Sequence, residues 1–332
     1  MANRGWSRWH HRFHRHLLEQ PALLPTQARL LVAVSGGQDS MALLRLLLDL
    51  HHLHHWTLHI WHGDHGWHGG SGTIASDLAA WCQTQGQTLI IDRAGDDEAN
   101  TETMARDWRA KTLLAHCQAL GCDAVTGHTA SDRAETVLIN LARGSDLSGL
   151  GSLNGLRPLQ SNQPEGPQLR RPLLLFSRSD TAACCQELGL PIWLDPSNAS
   201  LAHARNRIRH QVLPVLEELH PGCSQRMANT AGRLADQRQS RQELADLALK
   251  QLRAGKGLDR RAVGQLSSAT RQVVLARWLE MNGVPMLKAE VLAQVARRLG
   301  HGRPGGSATL RDGWTLGWKA GTITLSQADG SR

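Results

Sequence analysis

Residues 33–44 read Ala-Val-Ser-Gly-Gly-Gln-Asp-Ser-Met-Ala-Leu-Leu, a glycine pair flanked by serines and followed by one acid. Gly36 and Gly37 let the backbone approach a ligand closely, and the amides that open a helix point at whatever anion binds there. The ligand such a turn suits is a polyphosphate. A nucleotide-binding P-loop would carry a lysine in this turn; here there is none, and Asp39 is placed to hold Mg²⁺ in its stead. Four more clusters carry chemistry: His62-Gly63-Asp64-His65-Gly66; Glu102 with Ala105, Arg106 and Arg109; Gly127 to Thr136, followed by Arg143-Gly144; and Asp195-Pro196-Ser197-Asn198 with Arg205, Arg207 and Arg209. Three- and four-residue spacing gathers Glu102, Arg106 and Arg109 on one helix face. Asp132 and Glu135 fall three apart on a first helical turn, so both carboxylates can face one site.

Each cluster also has a plainer reading. Glu102 and its arginines would serve as a solvated ion-pair face, Asp132 and Glu135 would favour a helix N-terminus, and Arg205, Arg207 and Arg209 would be surface charge. Their joint position weighs against this, because the clusters recur after expected strands.

The elements that must position them alternate. Strands are predicted at Leu30–Val34, Trp56–Trp61, Thr88–Ile91, Ala124–Thr126 and Ile192–Leu194, with helices at Met41–Leu50, Ile74–Gln85, Thr101–Leu120, Ala134–Ala142 and Ser179–Leu188. That alternation implies an α/β fold, a parallel sheet with helices on both faces that binds ligands at the C-terminal ends of its strands. Residues 144–170 lack periodicity and read as a long mobile loop. Beyond Pro214 the pattern becomes mostly helical, at Ser224–Arg253, Ala269–Met281 and Leu287–Leu299, and ends in short strands within Ala308–Leu325. Three parts are expected: a His/Arg/Trp-rich segment 1–22, a catalytic domain 23–215, and a smaller basic domain 216–332.

Charge divides along the same lines. Residues 1–200 hold 16 Lys+Arg against 19 Asp+Glu, and residues 201–332 hold 21 against 10, so the second part carries +11. Such a surplus points to a polyanion, with nucleic acid preferred over a membrane surface because no long apolar span or amphipathic anchor appears. The N-terminus has no apolar core of signal-peptide type, and the six cysteines form no C-x-x-C pair, so a cytoplasmic protein with reduced thiols is expected. Twelve of the 18 histidines precede residue 70, including His62, His65 and His68 at three-residue spacing. A zinc or nickel site is conceivable there, although the segment lacks an ordered ligand pattern and scattered surface histidines are the preferred reading.

Taken together, these motifs resemble the N-type ATP pyrophosphatase superfamily (adenine nucleotide alpha-hydrolase-like fold) and, within it, the tRNA(Ile)-lysidine synthetase family. Ser35-Gly36-Gly37-Gln38-Asp39-Ser40 marks the superfamily. The narrower likeness rests on His62–Gly66, Gly127–Thr136, Arg143-Gly144, Gly149-Leu150, Arg171-Pro172-Leu173-Leu174 and Asp195 to Pro214. The chain departs from the family at His68, where arginine is usual, and at Arg109-Ala110, where Arg-Tyr is usual. It is similar to short family members with one C-terminal domain.

The resemblance implies ATP-dependent adenylation of the wobble cytidine of an isoleucine tRNA with a CAU anticodon, followed by attack of the lysine ε-amine at C2. By the same resemblance, Ser35, Gly36, Gly37, Gln38, Asp39, Ser40, His62 and His128 would bind ATP. Asp39 and Asp132 would hold Mg²⁺. Asp132 and Glu135 would recognise L-lysine, and Arg106 and Arg109 would stabilise phosphate or the activated base. Arg205, Arg207, Arg209, Arg253, Arg260, Arg297 and Arg298, with Lys256 and Arg261, would contact tRNA. Trp314 and Trp318 suit base stacking and core packing equally. A homodimer is left open by the sequence. Rival readings are a cytidine thiolase, which would need cysteines for a cluster or relay; a glutamine-dependent synthetase subunit, which leaves the basic C-terminal part unexplained; and a non-catalytic tRNA-binding protein.

Overall fold

The computed structural model describes residues 6–66, 71–95, 97–99, 101–160, 163–193, 201, 203–319 and 321–327, with the backbone alone for Glu102 and Ser148. His68 and the Asp195–Asn198 run lie outside the described residues. Two compact units divide the chain, 1–235 and 236–332.

In the first unit, α1 (Arg8–Glu19) precedes β1 (Arg29–Ala33), α2 (Gln38–His54), β2 (Thr57–Asp64), α3 (Ser71–Thr84), β3 (Leu89–Arg93), α4 (Glu102–Leu120), β4 (Asp123–Thr126) and α5 (Ala130–Ala142). A short α6 (Leu147–Leu150), β5 (Leu156–Pro158), β6 (Gln168–Arg170), α7 (Arg178–Leu188) and α8 (Ala204–Arg207) follow. The chain then passes through a π-helical turn, Ile208–Val212, into α9 (Leu213–Leu219). The sheet order is β3-β2-β1-β4-β6-β5, parallel except for β5. Alternation along β1 explains why both faces are covered. Leu30, Val32 and Val34 enter a core with α1, α2 and α7, whereas Leu31 packs with Trp61, Trp108, Leu113 and Cys117 toward α4.

Two expectations are corrected here. Residues 144–170 are not a featureless loop: they contain α6 and the antiparallel pair β5 and β6, with β6 adding to β4. The pairing is nonlocal, with Asp123 accepting from the Gln168 amide (2.7 Å) and from Arg170, so no local periodicity marks it. Nor do Ile192 and Trp193 form a strand. The place beside β4 belongs to β6, and the Trp193 amide instead donates to the Gly36 carbonyl (3.0 Å), tying that segment to the glycine turn. The histidine-rich N-terminus is an ordered helix, opened by a Ser7 capping box, whose Trp9, Phe13 and Leu17 are buried at four-residue intervals.

The second unit begins within α10 (Cys223–Leu252). It continues through β7 (Arg253–Ala254), β8 (Gly257–Asp259), α11 (Arg260–Gln265), α12 (Ser268–Met281), α13 (Ala289–Arg298), β9 (Gly306–Thr309), β10 (Trp314–Lys319) and β11 (Thr322–Gln327). These strands form an antiparallel sheet in the order β7-β8-β11-β10-β9. Leu258, Leu316, Trp318 and Ile323 face Val274, Leu275 and Trp278 in its core. Trp318 is 1% exposed and donates its indole N–H to the Pro304 carbonyl, so packing, not stacking on a base, is its role. Among the described residues, no helix is long and apolar enough to cross a membrane.

Candidate active site

Parallel strands place the residues after β1, β2, β4 and β6 along one edge of the sheet. The turn after β1 needs its glycines: Gly36 sits at φ +83°, where side chains are disfavoured, and Gly37 caps α2 without any side-chain acceptor for the first helical amides. Ser40 Oγ donates to the Gly37 carbonyl (2.9 Å) and accepts from the Ser35 amide (3.2 Å), closing the turn on itself. Gly127 supports it from β4, since a Cβ there would lie 2.9 Å from the Asp39 carbonyl oxygen and 3.0 Å from the Ser40 nitrogen. The turn is thus closed by its own serines, while the first amides of α2 keep no side-chain cap, the form that binds phosphate oxygens.

Asp39 is oriented from α7. Arg178 reaches its Oδ2 at 3.1 Å, Thr181 donates to Oδ1, and Gln38 is fixed by the Arg178 carbonyl (2.7 Å) and Thr181 Oγ1 (3.1 Å). Burial first, and then the charge of Asp132, push the Asp39 carboxyl above its ordinary value against the pull of Arg178, Thr181 and Arg209. Neither Arg178 nor Thr181 stood out in the sequence. A Ser177-x-x-Asp180 capping box opens α7, but the Asp39 partner of Arg178 lies about 140 residues away in the chain.

Asp132 and Glu135 come together as their spacing predicted. Asp132 Oδ2 accepts from the Thr129 amide (2.8 Å) and hydroxyl (3.0 Å), completing the capping box of α5. Its Oδ1 accepts from Arg205 (3.0 Å) and Arg209 (3.2 Å). Glu135 is fully buried, with Arg205 Nε at 2.7 Å, Arg209 Nε at 2.7 Å and Arg209 Nη2 at 3.0 Å. Burial would raise the Asp132 carboxyl, but Arg205, the Thr129 amide and Arg209 outweigh it and hold it below the ordinary carboxylate range. Arg205 and Arg209 are therefore turned inward to the acid pair, whereas Arg207 is exposed.

Two histidines complete this edge. His62 is buried and donates from Nδ1 to the Val34 carbonyl (2.7 Å), which fixes the ring. His128 lies with Nδ1 2.9 Å from the Thr126 hydroxyl. Burial, together with Arg171, Arg205 and Arg109, pushes the His128 imidazole down against the pull of Asp132, so it is neutral at physiological pH. On α4, Arg109 bonds His65 and Arg106 is exposed; the Glu102 side chain lies outside the described residues. Among the described residues, no three His, Cys, Asp or Glu side chains converge as a metal site. The N-terminal histidines are engaged otherwise, His10 with Asp49 (2.9 Å) and His14 with His54 (3.0 Å), which stacks on Trp56.

Residues 9–216 match the PP-loop domain family, and residues 258–320 match the TilS substrate binding domain. A protein named tRNA(Ile)-lysidine synthase from Parasynechococcus marenigrum (strain WH8102) is 56% identical over 321 residues, covering 97% of this chain and 95% of its own. One of the same name from Prochlorococcus marinus is 43% identical, over 98% of both chains. The chain belongs to the tRNA(Ile)-lysidine synthase family. It is an ATP-dependent ligase of the PP-loop superfamily. Among solved structures, the U34-tRNA thiolase NcsA from Methanococcus maripaludis, with its 4Fe–4S cluster, aligns with a TM-score of 0.58 at 20% identity. The alignment covers 69% of this chain and 79% of that one, a likeness of fold.

Within this lysidine synthase family member, several basic residues of the second unit reach its surface, although Arg271 is buried. Arg253, Lys256, Arg297 and Arg298 are exposed, and Arg298 lies over the Trp318 ring at 5.3 Å. Arg260 and Arg261 line a cavity of about 230 Å³ with His301 and Arg303.

Proposed function

We propose that this chain makes lysidine at the wobble cytidine of a tRNA(Ile) with a CAU anticodon, from ATP and free L-lysine. The observation that carries this reading is the meeting of two features on one sheet edge: an amide cradle for polyphosphate, and a buried acid pair already filled by cations. In the first step the cytosine O2 attacks the α-phosphorus of ATP, the bond to the β-phosphate oxygen breaks, and pyrophosphate leaves. The backbone donors left open in the Ser35–Ser40 turn would hold the pyrophosphate, with His62 and His128 bordering the nucleotide. In the second step the neutral ε-amine attacks C2, the C2–O bond breaks, AMP departs, and the nitrogen loses a proton. Asp132, held ionised, suits recognition of the lysine ammonium, and Glu135, a second buried carboxylate beside it, would accept the ammonium proton before the amine attacks.

Mg²⁺ fits the donors present. Asp39 lies close enough to Asp132 that the charge of Asp132 pushes the Asp39 carboxyl up, and a hard divalent cation is bound by one or two carboxylates together with substrate phosphates. Those two residues would hold it, and its chemistry would be neutralisation of phosphate charge. The basic second unit, with Arg253, Arg260, Arg297 and Arg298, would bind the tRNA backbone. Arg207 would contribute from the first unit, and Arg106 and Arg109 would face the phosphates or the activated base. A thiolase reading fits less well, because the six cysteines are buried and none belongs to a C-x-x-C pair.

The test is incorporation of labelled lysine into an unmodified tRNA(Ile) CAU transcript with ATP and Mg²⁺. The native chain should incorporate lysine, and Asp39→Ala should lose about 100-fold or more of that activity. Pyrophosphate release that depends on tRNA, without any lysine incorporation, would leave the activation step standing and overturn the amine donor.

A further inference from the structure

Arg171 is a buried cation that the steps above do not use. It is the first residue beyond β6, which runs parallel to β4, and so it stands on the same sheet edge as His128 and Asp132. Its amide donates to the Gly155 carbonyl (2.8 Å) and its Nη1 to the Asn154 carbonyl (2.7 Å). The residue is 5% exposed, and its buried Nε has no acceptor. No carboxylate forms an ion pair with it among the described residues. The acid that acts on it is Asp132, whose oxygens are already taken by Thr129, Arg205 and Arg209.

The surroundings add positive charge. Burial first, then Arg157 and Arg133, push the Arg171 guanidinium down to about 10, and Arg171, Arg205 and Arg109 all act on His128. Removing a guanidinium from water is costly unless charge and hydrogen bonds are restored, and a single carbonyl restores little. A cation in this condition at the mouth of a polyphosphate site is completed by an anion, and the guanidinium fork matches phosphate oxygens.

We propose that Arg171 binds a substrate phosphate group, an assignment that rests on the lysidine-forming reading and extends it. The phosphate belongs either to ATP or to the phosphodiester flanking the target cytidine. Two variants separate these sources: Arg171→Gln removes the charge at similar length, and Arg171→Lys keeps the charge without the fork. Thermal melting reports folding. ATP affinity is measured without tRNA, and retention of tRNA is measured without ATP over a series of salt concentrations.

A roughly tenfold loss of ATP affinity, with an unchanged tRNA salt dependence, assigns the nucleotide phosphate. A similar loss of tRNA affinity, with the salt slope reduced by about one phosphate contact, assigns the phosphodiester. Arg171→Lys should fall between the native chain and Arg171→Gln. Unchanged affinities for both partners in whichever variant folds would overturn the proposal and leave Arg171 a tie to Asn154. Both readouts are binding measurements, so failure of lysine incorporation in the native chain would sink the functional reading without deciding this one.

Discussion

Replacing Glu135 by glutamine should destabilise the first unit far more than its single charge suggests. Three guanidinium hydrogen bonds of 2.7, 2.7 and 3.0 Å converge on this carboxylate, which is wholly buried. Without it, two guanidinia face Asp132 alone, and the new amide turns an N–H₂ group toward one of them. Breaking a buried ion pair by removing one partner costs about 3–5 kcal/mol, because the remaining charge stays desolvated. For a unit of this size, that corresponds to a melting temperature lower by roughly 10 °C. The internal control is the exposed pair Arg15 and Glu19, 4.0 Å apart with side chains 77% and 66% exposed, where Glu19→Gln should cost about 0.5 kcal/mol or less. A double-mutant cycle makes the assay specific. Glu135→Gln with Arg209→Gln should be less destabilised, by about 2 kcal/mol, than the sum of the single variants. A Glu135→Gln cost below about 1 kcal/mol, or simple additivity in the cycle, would refute the view that these charges are a buried, mutually compensating unit.

Gly127→Ala should weaken ATP binding by about tenfold, because the added methyl would press on the backbone of Asp39 and Ser40, and overpacking of this kind typically costs 1–3 kcal/mol. Titration with ATP checks this, and an unchanged affinity would mean that the turn yields freely. A third expectation concerns acid. Burial would raise the Asp49 carboxyl, but hydrogen bonds from His10 and Arg45 outweigh it and bring it to about 2. A folded value below the unfolded one gives stability that is complete above about pH 4 and disappears as pH falls through about 2, worth about 2 kcal/mol. The native chain should therefore melt higher than Asp49→Asn near neutral pH, with the gap closing between pH 4 and pH 2; a gap independent of pH would contradict the sign.

Much of the first unit was legible because its strands and helices obey local periodicity. β1 to β4 and α2 to α5 fall within a few residues of their expected positions, since short apolar runs and buried helical faces leave a clear trace. β5 and β6 were missed because each has three residues and exists through pairing with β4 and with each other. Candidate residues that follow strands, such as Asp39 and His128, stood out from their place in the motifs. Arg178 and Thr181 were not, because what they do is defined by a distant partner. The inward turn of Arg205 and Arg209 was equally hidden: their run of alternating arginines looks the same whether it faces solvent or a pair of acids.

That inward turn makes the filling of the lysine pocket, under the proposed function, an exchange rather than an addition. The arriving ammonium replaces a guanidinium, so the pocket's net charge is conserved and no pair of bare carboxylates is ever left desolvated. Under the same proposal, the displaced arginine would be free to meet a neighbouring phosphate. Lysine and tRNA become linked through a shared side chain, and by reciprocity each should raise the other's affinity by the same factor. Lysine affinity measured with and without tRNA reads that factor, and a ratio of one would break the link.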